Sequence, residues 1–149
     1  MTDGVAAELR DTIDFARDKR GFDELALHRM LGLTLEELRV GYARICLHSG
    51  GETAHGIGGG VHGGVLAAMV DIVMLRAIMT SLQKNDVPAG TASLGLDYLK
   101  PAVGAKVFAE ATVVRKGRTL SYVEVSFTDE AGTLFARGRS TYVTRQTGG

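Results

Sequence analysis

The sequence predicts an α+β domain in which one long central helix is wrapped by a mostly antiparallel β-sheet, with a helical N-terminal segment. Three observations carry this reading. Val65 to Leu82 is apolar on nearly every face of a helix, so it must be enclosed on all sides. The later segments alternate apolar and polar residues with a period of two. They are joined largely by short turns, which link antiparallel strands.

Element by element, Thr2 is a cap for a first helix, in which Val5, Leu9, Ile13 and Ala16 share one face. Glu8, Arg10, Asp11, Asp14 and Arg17 form its solvated face. Leu25 to Leu31 predicts another helical turn or two, stopped by Gly32. Leu38 to His48 reads as a strand, with Val40, Tyr42, Ile45 and Leu47 supplying β-prone side chains. Ser49 to Gly60 holds six glycines in twelve positions and predicts a loop. After the long helix, Pro88 within Asn85 to Gly90 is a break. Ala92, Leu94, Leu96 and Tyr98 then alternate up to Pro101, and Val107 to Val113 alternates in the same way. Arg115-Lys116-Gly117-Arg118 predicts a hairpin turn into Thr119 to Thr128, and Asp129 to Gly132 a second turn into Thr133 to Thr144. Residues 1–36 read as a helical extension of the same domain, and 37–149 as its main body.

The bulk properties narrow the function classes. A chain of 149 residues buries roughly 70% of its unfolded surface, which suits one domain. Seventeen basic residues balance seventeen acidic ones, which argues against a nucleic-acid partner. The single cysteine, Cys46, allows no internal disulfide and no thiolate cluster, and reads as a small core residue. His48, His55 and His62 recur every seven residues without a matching acid motif, so no metal is expected from that spacing. Met1 to Arg20 lacks an apolar signal-peptide centre. Asp71 and Arg76 interrupt the long apolar run, which argues against a membrane span. A cytoplasmic location follows as the expectation.

The chemistry concentrates at His62-Gly63-Gly64 and at Asp71. Glycines at a helix entrance let backbone N–H groups approach a ligand closely, where the helix dipole favours negative charge. A carboxylate two turns into an apolar run costs several kcal/mol to desolvate unless it is paired, protonated or used.

With these residues in view, the chain resembles the hotdog-fold acyl-CoA thioesterases, in the phenylacetate-pathway (PaaI-like) branch. The family pattern Asn-Pro-x-Gly-x-Val-His-Gly-Gly, followed after about six residues by an acid, is similar to Gly56-Ile57-Gly58-Gly59-Gly60-Val61-His62-Gly63-Gly64 and Asp71 here. Leu96 to Pro101 looks like the family strand ending Tyr-Leu-Arg-Pro, and Leu31-Gly32-Leu33 like its entry segment. The resemblance spans roughly residues 30 to 145. It implies a hotdog fold and hydrolysis of an acyl or aryl thioester to a carboxylic acid and free CoA, with no cofactor. It also implies that the Gly63 N–H polarises the thioester carbonyl, and that Asp71 of the partner subunit is nucleophile or general base. Two turns of helix span roughly 10 Å, too far for both groups of one chain to flank one carbonyl. The implied assembly is therefore a homodimer, with a dimer of dimers (a homotetramer) as the higher state.

One position departs from the pattern. The family Asn is replaced by Gly56, and His55 is the candidate to reach the same space. His62 reads first as a backbone cap and second as a participant in the chemistry. Val61, Gly64 and Met74 are candidate substrate contacts, with Met69 and Val73 as further pocket candidates that fit an ordinary core equally well. Arg115, Lys116 and Arg118 are candidates for the CoA phosphates, or simply a solvated turn. Asp71 has the alternative of a structural ion pair, for which Arg76 lies at a poor helical spacing. The rival functions are a hotdog hydratase or dehydratase, with His62 moving a proton at the β-carbon, and a non-catalytic acyl-CoA-binding module.

Overall fold

The computed structural model describes residues 19–147, so the helix expected from Thr2 to Arg17 lies outside the described residues. Two short helices, α1 (Lys19–Glu24) and α2 (Ala26–Leu31), lead into strand β1 (Leu33–Arg39) and strand β2 (Tyr42–His48). A 3₁₀ turn at Ile57–Gly59 precedes the central helix α3 (Gly63–Met79). Four strands follow: β3 (Asp86–Tyr98), β4 (Lys106–Lys116), β5 (Leu120–Thr128) and β6 (Leu134–Gln146). All pair antiparallel in one sheet of order β1-β2-β4-β5-β6-β3. This is the hotdog fold.

Helix α3 lies against the inner face of that sheet. Leu66, Met69, Val70, Val73, Met74, Ala77 and Ile78 are all buried, and they pack on Ile45, Leu47, Val107, Ala109, Val125 and Phe127 from the strands. Each Leu, Val, Ile, Met or Phe enclosed in this way contributes about 1.5–3 kcal/mol relative to exposure. The helix ends where Thr80 turns its hydroxyl back to the Ala77 carbonyl (2.6 Å). The same oxygen accepts the Gly41 N–H at 2.8 Å, tying the β1–β2 turn to the end of the helix.

Two expectations need correction. The strand read from Leu38 to His48 is the end of one strand and the whole of the next. Between them Gly41, at φ +72°, takes the left-handed conformation that glycine adopts without a Cβ penalty. The boundary placed after residue 36 therefore falls inside β1. The strand read from Ala92 starts earlier, at Asp86, so Pro88, read as part of the segment that breaks the long helix, lies inside β3. The strand lies at the end of the sheet, where a residue without an N–H is tolerated, and bulges between Pro88 and Gly90 and between Thr91 and Ser93 absorb the irregularity. Strand β3 pairs with β6, not with its successor β4. It crosses over to lie beside β6, leaving its other edge without a strand among the described residues.

Cys46 is buried at 1% exposure, but it does not belong to the core cluster around α3. Its neighbours Ile45 and Leu47 point inward, so Cys46 faces the outer side of the sheet. No helix among the described residues is long and apolar enough to cross a membrane.

Candidate active site

The entrance of α3 is built by hydrogen bonds that a glycine-rich approach makes possible. His62 caps the helix, its Nδ1 accepting the Gly64 N–H at 2.9 Å. That acceptance requires the tautomer with the proton on Nε2. The His62 carbonyl accepts from the Val65 N–H at 2.9 Å and the Leu66 N–H at 3.4 Å, and the His62 N–H donates to the Thr53 carbonyl at 2.8 Å. The first-turn amides of Gly64, Val65 and Leu66 are thus satisfied, whereas that of Gly63 has no acceptor among the described residues. On the other side, the Tyr98 hydroxyl donates to the Gly63 carbonyl at 2.6 Å and pins the helix start to the end of β3.

Beside this amide lies an open cleft of ≈ 560 Å³. Val61, Gly63, Gly64, Leu66, Tyr98 and Leu99 are among the residues lining it, and Gly56 and Ile57 come from the glycine-rich loop. The apolar side chains Ile57 (89% exposed), Tyr98 (55%) and Leu99 (56%) stand open around it. Clustered apolar exposure of this kind marks a surface that binds something. Of the sequence candidates, Val61, Gly63 and Gly64 meet at the cleft, with His62 as their cap.

Gly56 occupies the place of the family Asn, and the loop there is closed by backbone. A Cβ at residue 56 would lie 2.5 Å from the Val61 carbonyl oxygen and 2.9 Å from that of Gly60. The Gly56 N–H itself donates to the Gly60 carbonyl at 2.8 Å. The position therefore lacks not only the amide side chain but also the room for any side chain. His55 is exposed and adjacent in sequence, but it is not among the residues lining the cleft.

Asp71 sits eight residues after Gly63, about 12 Å along the helix. It is partly exposed, and its Oδ1 accepts the Thr91 hydroxyl proton at 2.6 Å. Thr91 belongs to β3 between its bulges, so the carboxylate lies next to the open edge of the sheet. Its partner is Thr91 rather than Arg76, whose guanidinium is buried over the Phe22 ring (5.4 Å) and held below its ordinary pKa by that burial. Thr91 was invisible as a site residue in the sequence, where it is one hydroxyl among several on an alternating strand.

The other candidates are placed apart from this cleft in the single chain. Met69, Val73 and Met74 are fully buried in the core. Arg115, Lys116 and Arg118 lie at the β4–β5 turn. There Lys116 pairs with Asp86, at the opposite end of β3 from Tyr98, with N–O 2.9 Å.

Residues 58–136 match the family described as the thioesterase superfamily. Human acyl-coenzyme A thioesterase 13 is 30% identical over 140 residues, covering 92% of this chain and 94% of that one. The solved structure of zebrafish thioesterase superfamily member 2 is 26% identical and superposes with a TM-score of 0.71, covering 91% of this chain and 94% of its own. A mutant of the phenylacetic acid degradation protein PaaI from Thermus thermophilus is 29% identical, with a TM-score of 0.69 over 78% of this chain and 96% of its own.

Proposed function

This chain belongs to the thioesterase superfamily and is a thioester hydrolase, and we propose that it cleaves acyl- or aryl-CoA thioesters at a site shared by two subunits of a homodimer. The Gly63 N–H holds the thioester carbonyl oxygen as negative charge develops on it, aided by the positive end of α3. Asp71 of the partner subunit either takes a proton from an attacking water or attacks the carbonyl carbon itself, giving an anhydride that water then opens. Either way the C–S bond breaks, the sulfur leaves as the CoA thiolate and is protonated, and the acyl group departs as a carboxylic acid. The cleft beside Gly63 takes the acyl group. No cofactor enters this chemistry.

The observation that carries this reading is the Gly63 amide, the one first-turn donor without an acceptor among the described residues, opening on an apolar cleft. The two-subunit arrangement is supported by the open edge of β3 and by Asp71 lying beside it, about 12 Å from the amide of its own chain. Arg115, Lys116 and Arg118 sit at the far end of β3, where a two-fold partner's helix entrance would lie, which keeps them as contacts for the nucleotide phosphates. The hydratase reading is weaker, because the Nδ1 of His62 is already engaged as a cap.

The deciding experiment measures free-thiol release from a panel of alkyl and aryl CoA thioesters by the wild type, Asp71→Asn and Asp71→Ala, with the dimer followed by sedimentation. Release that falls at least 100-fold in both variants with the assembly intact is the expected result. A folded dimer that releases no thiol from any member of the panel would sink the reading.

A further inference from the structure

On the outer face of the sheet, away from α3 and the cleft, the Glu36 carboxylate, the Cys46 thiol and the His48 imidazole present ligand atoms that all lie within 4.8 Å of one another. Three features of the strands produce this meeting. Cys46 and His48 are two residues apart on β2 and so share a face. Thr34 pairs with Cys46 across the β1–β2 ladder, placing the adjoining part of β1 beside them. The register then shifts between Leu35 and Glu37, so Glu36 is the extra residue of a β-bulge, a device that re-aims side chains. The Thr34 hydroxyl bridges the group, donating to Glu36 Oε1 at 3.0 Å and lying 3.0 Å from His48 Nε2. The recurrence of His48, His55 and His62 pointed to no such site, because the third ligand comes from a neighbouring strand.

We propose that Glu36, Cys46 and His48 bind a thiophilic divalent cation of the Zn²⁺ class, with water completing a four-coordinate shell. One sulfur, one imidazole nitrogen and one carboxylate oxygen make a donor set suited to that class. Tetrahedral coordination places ligand atoms about 3.3–3.7 Å apart, so the exposed Glu36 and His48 side chains close in on the metal, releasing their bonds to Thr34. Binding breaks the Cys46 S–H bond, forms a metal–thiolate bond and sends the proton to solvent. The site lies where β2 runs into the glycine-rich loop, and an occupied site would tie β1, β2 and the start of that loop together.

The test is titration of the full chain with Co²⁺ alone as a spectroscopic probe, followed by competition with Zn²⁺. The wild type should develop the near-ultraviolet thiolate-to-cobalt absorption, and Zn²⁺ should erase it and raise the melting temperature. Cys46→Ser should abolish the band, and Glu36→Gln and His48→Ala, both at exposed positions, should each weaken binding at least tenfold. The proposal is overturned if the wild type shows no thiolate band. It is equally overturned if either exposed variant binds like the wild type.

Discussion

Placing a side chain at Gly56 tests how the substrate loop is closed. An alanine Cβ there would stand 2.5 Å from the Val61 carbonyl oxygen, against an ordinary contact of at least 3.4 Å, so the backbone must give by about 0.9 Å. That backbone is held by three bonds of 2.8 Å: Gly56 N–H to Gly60, Val61 N–H to Ala102, and His62 N–H to Thr53. Stretching any of them by the required amount takes it to about 3.7 Å, beyond hydrogen-bond range. One lost bond of about 1 kcal/mol plus about 1–3 kcal/mol of overpacking gives a cost of about 2–4 kcal/mol. For a domain of this size the melting temperature should drop by about 5–15 °C. Because the strained segment continues directly into the His62 cap and the Gly63 amide, thiol release should decline as well. Gly56→Ala isolates the steric effect, and Gly56→Asn asks whether the family side chain can be restored. Calorimetry and the thiol-release assay on both variants measure it. A Gly56→Asn protein that melts like the wild type and hydrolyses faster would show that the loop admits a side chain, and the steric reasoning would be wrong.

Three further outcomes follow from the same geometry. Thr91→Val removes the hydroxyl that orients the Asp71 carboxylate. It should lower kcat about tenfold with KM nearly unchanged, Thr91→Ser should recover most of the rate, and equal kcat in all three proteins would remove Thr91 as a positioning residue. Tyr98→Phe deletes the donor to the Gly63 carbonyl and should cost about 1 kcal/mol in denaturant unfolding, while an unchanged midpoint would mean that this bond does not hold the helix entrance. Burial raises the pKa of Asp86, but hydrogen bonds from the Gln83 N–H, the Gln146 amide and Lys116 outweigh it, so the group lies below its ordinary value. The ionised form is thus favoured by folding. Its stabilisation is present above the unfolded pKa of about 3.9 and is lost as pH falls through the folded value. Asp86→Asn should flatten the acid limb of the stability curve below about pH 5, and an unaltered limb would dismiss the assignment.

Much of this was legible in the chain, for identifiable reasons. Helix α3 announced itself because a segment apolar all round can only be enclosed, and β4, β5 and β6 because alternation and charged turns are local signals. Strand β1 was missed: the bulge at Glu36 breaks its period of two, and Thr34, Glu36, Glu37 and Arg39 make it look like loop. The pairing of β3 with β6 joins segments separated by two other strands, and no local pattern encodes it. The start of β3 was placed too late, at Ala92, because tolerance of Pro88 inside a strand depends on lying at a sheet edge, which only topology reveals. Gly63 and Asp71 stood out through the cost of what they do, an open helix entrance and a carboxylate in an apolar run. Thr91 and the crowding at Gly56 depend on which backbone passes nearby, and that was not readable.

The open edge of β3 has a consequence for how this enzyme can change. Asp71 is attached to the middle of the strand through Thr91, and Gly63, by its carbonyl, to the strand's end through Tyr98. If two copies join along this edge, the distance between carboxylate and amide is stored as strand register, and β3 acts as a ruler. A slip of two residues keeps every side chain on its proper face, yet it shifts one subunit against the other by about 7 Å. A two-residue insertion or deletion in β3 could then leave a stable, well-paired dimer that has lost its reaction altogether. Selection on this strand would act on its length as much as on its side chains.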